Sequence, residues 1–154
     1  MRAAICTRYG PPEVLELREV PDPVPRADEI LVRVHASAVT SSDWFIRSSV
    51  PHAPITARVA MRLLVGITAP RKRILGLILA GEVEEVGSSV TRFSVGDRVY
   101  AFTKFHFGAY AEYTCLRESS TVAIAPADLS HAEAASIPYG GLLALHYLRK
   151  GRVG

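Results

Sequence analysis

Residues 76–99 read GLILAGEVEEVGSSVTRFSVGDRV. An apolar run, Leu77 to Ala80, is interrupted by Gly81. The alternation Glu82-Val83-Glu84-Glu85-Val86 then predicts a strand with valines on one face and carboxylates on the other. Gly87-Ser88-Ser89 supplies a turn, and Gly96-Asp97 a second, before Arg98-Val99-Tyr100 resumes strand character. Two glycine-punctuated turns around a short apolar loop describe compact β-structure with tight corners. The pattern by itself names no activity.

The flanks extend the same picture. Arg2 to Thr7 predicts a strand, Tyr9-Gly10-Pro11-Pro12 a turn, and Val14 to Val20 a hairpin partner. Pro21, Pro23 and Pro25 cannot donate to a ladder, so residues 21–25 are an extended connector. Ile30 to Val39 is the longest β-pattern, with Ile30, Val32 and Val34 on one face and Leu31, Arg33 and His35 on the other. A helix follows from about Ser42 to Arg47, capped by Thr40 or Ser41, with Asp43 in its first turn. Residues 48–56, with Pro51 and Pro54, are irregular, and Arg58 to Ile67 predicts a short amphipathic helix ended by Gly66 and Pro70. Beyond the central stretch come strands at Arg98–Phe102, Tyr110–Leu116 and Thr121–Ile124, with an aromatic loop from Thr103 to Gly108. Ser130-His131-Ala132-Glu133 is a capping box, opening one helix to Ile137 and a second from Tyr139 to Lys150, stopped by Gly151.

Composition narrows the classes. Half of the 154 residues are apolar, 21% are charged, and the net charge is only +3, which suits one globular domain with a real core. The cationic excess is local, at Arg58, Arg62, Arg71, Lys72 and Arg73, and no aromatics interleave with it. Neither a nucleic-acid nor a membrane partner is therefore expected. Cys6 and Cys115 form no CxxC, so reduced thiols in a reducing cytoplasm are expected. No secretory signal opens the chain, and no apolar run approaches the roughly 20 residues of a membrane span. The five histidines show no HxxH or HExxH spacing.

Taken together, AGEVEEVGSSVTRFSVGDRV, the opening ICTRYGPPEVLELREVPDPVP and the later GAYAEY resemble the GroES-like catalytic domain of the medium-chain dehydrogenases/reductases, in their zinc-free quinone-oxidoreductase-like branch. The resemblance implies a β-rich α+β fold: a partly open barrel over residues 1–125 forming the catalytic, substrate-binding domain. Residues 126–154 would be the helical start of a nucleotide-binding Rossmann domain. It implies NADP(H)-dependent hydride transfer to a quinone, an enone or another small carbonyl. The zinc enzymes of the superfamily carry Cys, His and acid ligands where this chain has Thr40, Leu77 and Ile78, a set that cannot hold zinc. By the same resemblance, Thr40, Asp43 and Trp44 line the catalytic cleft, and Phe45, Phe105 and Phe107 the substrate pocket. Tyr139, Gly140, Gly141 and Leu143 meet the cofactor, NADPH. Phe45 stands where a tyrosine is common, Thr40 replaces the usual Asn and Leu143 the usual Thr.

Plainer readings stand beside these. Thr40 and Asp43 also suit a helix cap, and Phe105, His106 and Phe107 an aromatic cluster over the sheet end. Residues 58–73 suit either a lid or a solvated helix. A binding module that self-associates as a homodimer through Leu142, Leu145 and Leu148 is an alternative, as is an enoyl reductase of the polyketide-synthase type. No G-x-G-x-x-G occurs, and Gly151 to Gly154 falls where the family begins its first Rossmann strand. The chain is thus expected to be the N-terminal half of a reductase and inactive alone.

Overall fold

A computed structural model describes residues 1–49 and 53–151. Residues 50–52, with Pro51 and His52, and the terminal residues 152–154 lie outside the described residues. Strands β1 (Arg2–Cys6) and β2 (Leu15–Glu19) form the expected antiparallel hairpin. The main sheet comprises β3 (Glu29–Ala38), β4 (Ile78–Val86), β5 (Arg98–Phe102), β6 (Tyr113–Arg117) and β7 (Val122–Ile124). All its pairings are antiparallel, in the spatial order β6-β3-β4-β5-β7.

The opening stretch is the middle strand, and it runs unbroken through Gly81. Leu79 and Val83 face one side, into a core with Ile30, Val32, Val99 and Leu116. Ile78 faces the other side, into a second core with Cys6, Val14, Ile46 and Leu75. Burial on both faces explains the continuous apolar run. A Cβ on Gly81 would lie 2.0 Å from the Arg33 carbonyl oxygen, so glycine here permits close approach of β3 rather than ending a strand. Further along, the β3–β4 register slips between Leu31 and Val32, leaving Glu84 unopposed. That slip places Val83 opposite Val32 and Val86 opposite Ile30, so both valines share a face while Glu84 and Glu85 are exposed.

Strand β6 begins later than expected, because the residues just ahead of it are already paired. The Tyr110 carbonyl accepts from Ala4 N–H at 2.8 Å and Ala111 bridges Ala3, which ties them to the hairpin before β6 starts at Tyr113. Helix α1 spans Ser41–Ser48, with Thr40 as its N-cap. Helix α2 spans Ile55–Val65, three residues earlier than expected at its start, and ends at Gly66.

At the C-terminal end one helix replaces the two expected. Helix α3 runs His131–Lys150 with Pro138 inside it. Ser130 and Glu133 form the capping box, the Glu133 carboxylate accepting from Ser130 N–H at 2.8 Å and from the Ser130 hydroxyl at 2.7 Å. Ala134 and Ala135 seat the first turns on Ala80 and Ala125 of the sheet. That packing carries the helix past Pro138, whose ring removes one hydrogen bond without ending it. Every residue from Gly140 to Lys150 is exposed.

Candidate active site

Strand β3 delivers the chain to the start of α1. Thr40 is extended, and Asp43 reaches back so that its Oδ2 accepts from Thr40 N–H at 2.9 Å and from the Thr40 hydroxyl at 2.7 Å. Asp43 is only 4% exposed. Its other oxygen, Oδ1, is buried without a completed hydrogen bond, and so is the Tyr110 phenol oxygen. The two groups are neighbours: burial first, then the Asp43 charge, push the Tyr110 phenol well above its usual range. Thr40 and Asp43 therefore act as a cap, and they also fix the N-terminus of α1.

One helical turn on, α1 walls an apolar cavity of about 520 Å³. Ile46 and Leu77 form its buried floor with Phe102, and Phe45, Met61 and Phe105 its sides. Among the described residues, Ser42 and Lys104 are its only polar lining groups. Two of the three expected pocket aromatics, Phe45 and Phe105, line this space. Phe107 is 4% exposed and packs into the second core, edge-on to Phe105 with ring centroids 6.3 Å apart. Trp44 lies outside the lining, its ring 4.9 Å from that of Phe45.

Across the chain, α3 brings Tyr139 to the same corner. Its phenol oxygen lies 3.2 Å from the Ser42 hydroxyl, a contact 97 residues apart in sequence. Hydrogen bonds from Ser42 and then Ser41 hold the Tyr139 phenol below its usual range. Gly140 leaves bare backbone beside it: a Cβ there would meet nothing within 4 Å. Leu143 is half exposed one turn further along. The outcome is an open, uncharged helix face next to a hydroxyl pair.

The positions that the resemblance sets against zinc ligands offer one hydroxyl and two aliphatic side chains. The Thr40 hydroxyl is already donated to Asp43, Leu77 floors the cavity, and Ile78 is buried in the core. Among the described residues no three His, Cys, Asp or Glu side chains converge on one point. His35 and His131 instead stack on each other, ring centroids 4.4 Å apart, at the start of α3.

Sequence reasoning missed Met61 and Lys104 as cavity residues. Lys104 has a left-handed backbone, φ 53°, which no residue pattern announces. The Asp43–Tyr110 neighbourhood was equally silent, since GAYAEY reads as a strand. Tyr139 and Ser42 were each visible within their own motifs, but their meeting was not.

A barrel-side sheet, a capped helix and an apolar cavity at its mouth define a GroES-like catalytic fold, and comparison with known proteins agrees. Residues 26–127 match the alcohol dehydrogenase GroES-like domain family. The chain belongs to that family, within the medium-chain dehydrogenases/reductases. It is 37% identical over 138 residues to a chloroplastic quinone-oxidoreductase homolog of Spinacia oleracea, which covers 88% of this chain and 37% of that protein. A quinone oxidoreductase from Coxiella burnetii superposes with a TM-score of 0.82 at 33% identity, over 99% of this chain and 45% of that one. The Escherichia coli quinone oxidoreductase, solved with NADPH, gives 0.79 at 29% identity, over 98% and 41%. The chain thus spans less than half the length of each.

Proposed function

We propose that this chain is the substrate-side part of a zinc-independent, NADPH-dependent oxidoreductase that reduces a quinone, an enone or a related carbonyl. The observation that carries the proposal is the apolar cavity whose polar edge, Ser42, is hydrogen-bonded to Tyr139. Residues 1–125 are the substrate domain on this reading, and residues 126–154 the start of the nucleotide-binding part. Phe45, Met61 and Phe105 enclose a planar apolar substrate and exclude water from it. Tyr139, with Ser42, holds the proton that a reduced oxygen or carbon needs. Asp43 and Thr40 position α1, and with it Ser42. Gly140, Gly141 and Leu143 offer the face for the nicotinamide end. NADPH supplies the hydride. The unsuitable donor set at Thr40, Leu77 and Ile78 supports the zinc-independent part, and the two buried or half-buried free thiols suit a reducing compartment such as the cytoplasm. No described helix is long and apolar enough to cross a membrane. Exposed Leu142, Leu145 and Leu148 on α3 support a homodimer as a further feature.

The test is titration of the chain with tetramethyl-1,4-benzoquinone, a quinone with no free ring position for thiol attack. The fluorescence of Trp44, the only tryptophan, reports binding against Phe45. Saturable quenching that weakens in Phe105→Ala supports the site. Absence of quenching up to solubility, or quenching indifferent to Phe105→Ala, sinks it. Calorimetry with NADPH is the companion measurement. These 154 residues carry no pyrophosphate-binding glycine motif, so no saturable heat is expected.

A further inference from the structure

Helix α2 turns Met61 and Val65 toward the second core and carries its other large apolar residues outward. Ile55, Val59, Leu63 and Leu64 are 74, 53, 59 and 72% exposed, with Thr56, Ala57 and Ala60 exposed among them. Arg58 and Arg62 lie on the half-buried side. Arg62 Nε donates to the Ser49 hydroxyl at 3.0 Å, and its guanidinium lies 5.4 Å from the Tyr9 ring centroid. A solvated surface helix has the reverse arrangement. The apolar surface continues through Ile67 and Phe105, which are 63 and 69% exposed. A cavity of about 380 Å³ between Leu64 and Phe105 is edged by Arg71 and Lys72. Arg71, Lys72 and Arg73 are exposed, and among the described residues none of them makes an ion pair. No Asp or Glu occurs anywhere from Trp44 to Gly81.

We infer that α2 and the turn at Arg71–Arg73 seat this protein on an anionic lipid surface. Ile55, Val59, Leu63 and Leu64 enter the boundary of the acyl chains, and the three cations meet the headgroups. Charge selects this occupant over a second copy. In a two-fold interface the same acid-free patch meets itself, so its cations would gather against each other with no carboxylate of the patch to answer them. A planar anionic surface instead favours an acid-free edge. Composition alone set lipid aside because the cationic excess is small and local and no aromatics interleave with it; folding places an outward apolar helix face beside those cations. The inference does not depend on the redox reading.

The experiment is co-sedimentation of the chain with vesicles of phosphatidylcholine alone, or with about a third phosphatidylglycerol, at low salt and at about 0.5 M salt. Binding is expected only to the anionic vesicles and should be lost at high salt. The double variant Arg71→Glu/Lys72→Glu should bind at least ten-fold more weakly, by roughly five-fold per cation removed and more for reversal. Leu63→Glu and Leu64→Glu, both at exposed positions, should each weaken binding about ten-fold or more with an unchanged circular dichroism spectrum. Equal binding to both vesicle types, or none to either, overturns the inference. So does a dimer seen by sedimentation without lipid that Leu63→Glu abolishes, because the face then belongs to a second copy.

Discussion

Thr40 points both its backbone N–H and its hydroxyl at a single oxygen of Asp43, at 2.9 and 2.7 Å, while the other Asp43 oxygen faces the buried Tyr110 phenol without a completed bond. One carboxylate thus ends a helix and borders the core. Asp43→Asn keeps an acceptor for Thr40 and turns an amide donor toward Tyr110, so its urea midpoint should stay near that of the parent. Asp43→Ala removes the acceptor for Thr40 and the polar neighbour of the buried Tyr110 phenol, and should cost about 2 kcal/mol. Equal losses in the two variants would show that the charge, not the hydrogen-bond geometry, is what matters.

Three glycines should respond to alanine in three ways. At Gly81 the new Cβ would meet the Arg33 carbonyl at 2.0 Å, and the two central strands must part, at about 3 kcal/mol or more. Gly96 has φ 89° and open space around it, so only backbone strain is felt, about 1 kcal/mol. Gly140 lies inside α3 with nothing within 4 Å, and alanine there should stabilise the chain by about 1 kcal/mol. In a complete enzyme, Gly140→Ala should at the same time weaken NADPH affinity, if that helix face meets the nicotinamide. Thermal unfolding of the three variants gives the order directly.

His131 is the first residue of α3, stacked on His35 with its Nδ1 buried and unpartnered. Burial, then the His35 ring and Arg98, lower its pKa. Because the folded value lies below the unfolded one, His131 is neutral in both states at high pH and contributes nothing there. As pH falls through the ordinary histidine range, the unfolded chain takes up the proton first and stability drops. The helix dipole opposes the same protonation. Tm should therefore fall between about pH 7.5 and about pH 5, and His131→Asn should flatten the slope. His106, lowered by burial and Lys72, accounts for a remainder. Superimposable slopes for parent and variant would exclude the histidine stack as the cause.

Both thiols should be sluggish nucleophiles. Burial and then the Glu29 and Glu85 charges push Cys115 up to about 11, and burial raises Cys6, whose sulfur donates to the Arg8 carbonyl at 3.2 Å. Native protein at neutral pH should react with iodoacetamide at least ten-fold more slowly than the urea-unfolded chain. Mass spectrometry of the alkylated peptides distinguishes the two sites, and rapid native labelling of either would contradict its burial.

Much of the barrel was legible because alternation is a local property. The hairpin, the long β3 with Ile30, Val32 and Val34 on one side, and both capping acids were all readable. Gly81 and Pro138 were not, because a residue that usually breaks an element is overruled where neighbouring strands or a sheet hold the backbone in place. Helix α2 shows a different limit. Periodicity tells which of its residues share a side but not which side turns inward, and that was decided by Met61 and Val65 on the second core and by the hold of Ser49 and Tyr9 on Arg62. At the site, Ser42 and Tyr139 each belonged to a visible motif, yet only folding brings their hydroxyls together. The placements of Thr40, Asp43 and Phe45 came from resemblance, and the cavity adds Met61 and Lys104, for which no pattern exists.

The proline within α3 has a mechanical consequence. The first turns are bolted to the sheet through Ala134 and Ala135, while every residue from Gly140 to Lys150 is exposed. Pro138 removes a rung of the hydrogen-bond ladder just where the clamped part meets the unsupported part. The outer 11 residues, Gly140 to Lys150, therefore form a cantilever about 16 Å long. A bend of about 10° at its root would sweep the tip by roughly 3 Å. Buried Pro138, the Tyr139 ring packed against the second core and the Tyr139–Ser42 hydroxyl contact brace that root, and together they set the angle at which the arm leaves the barrel.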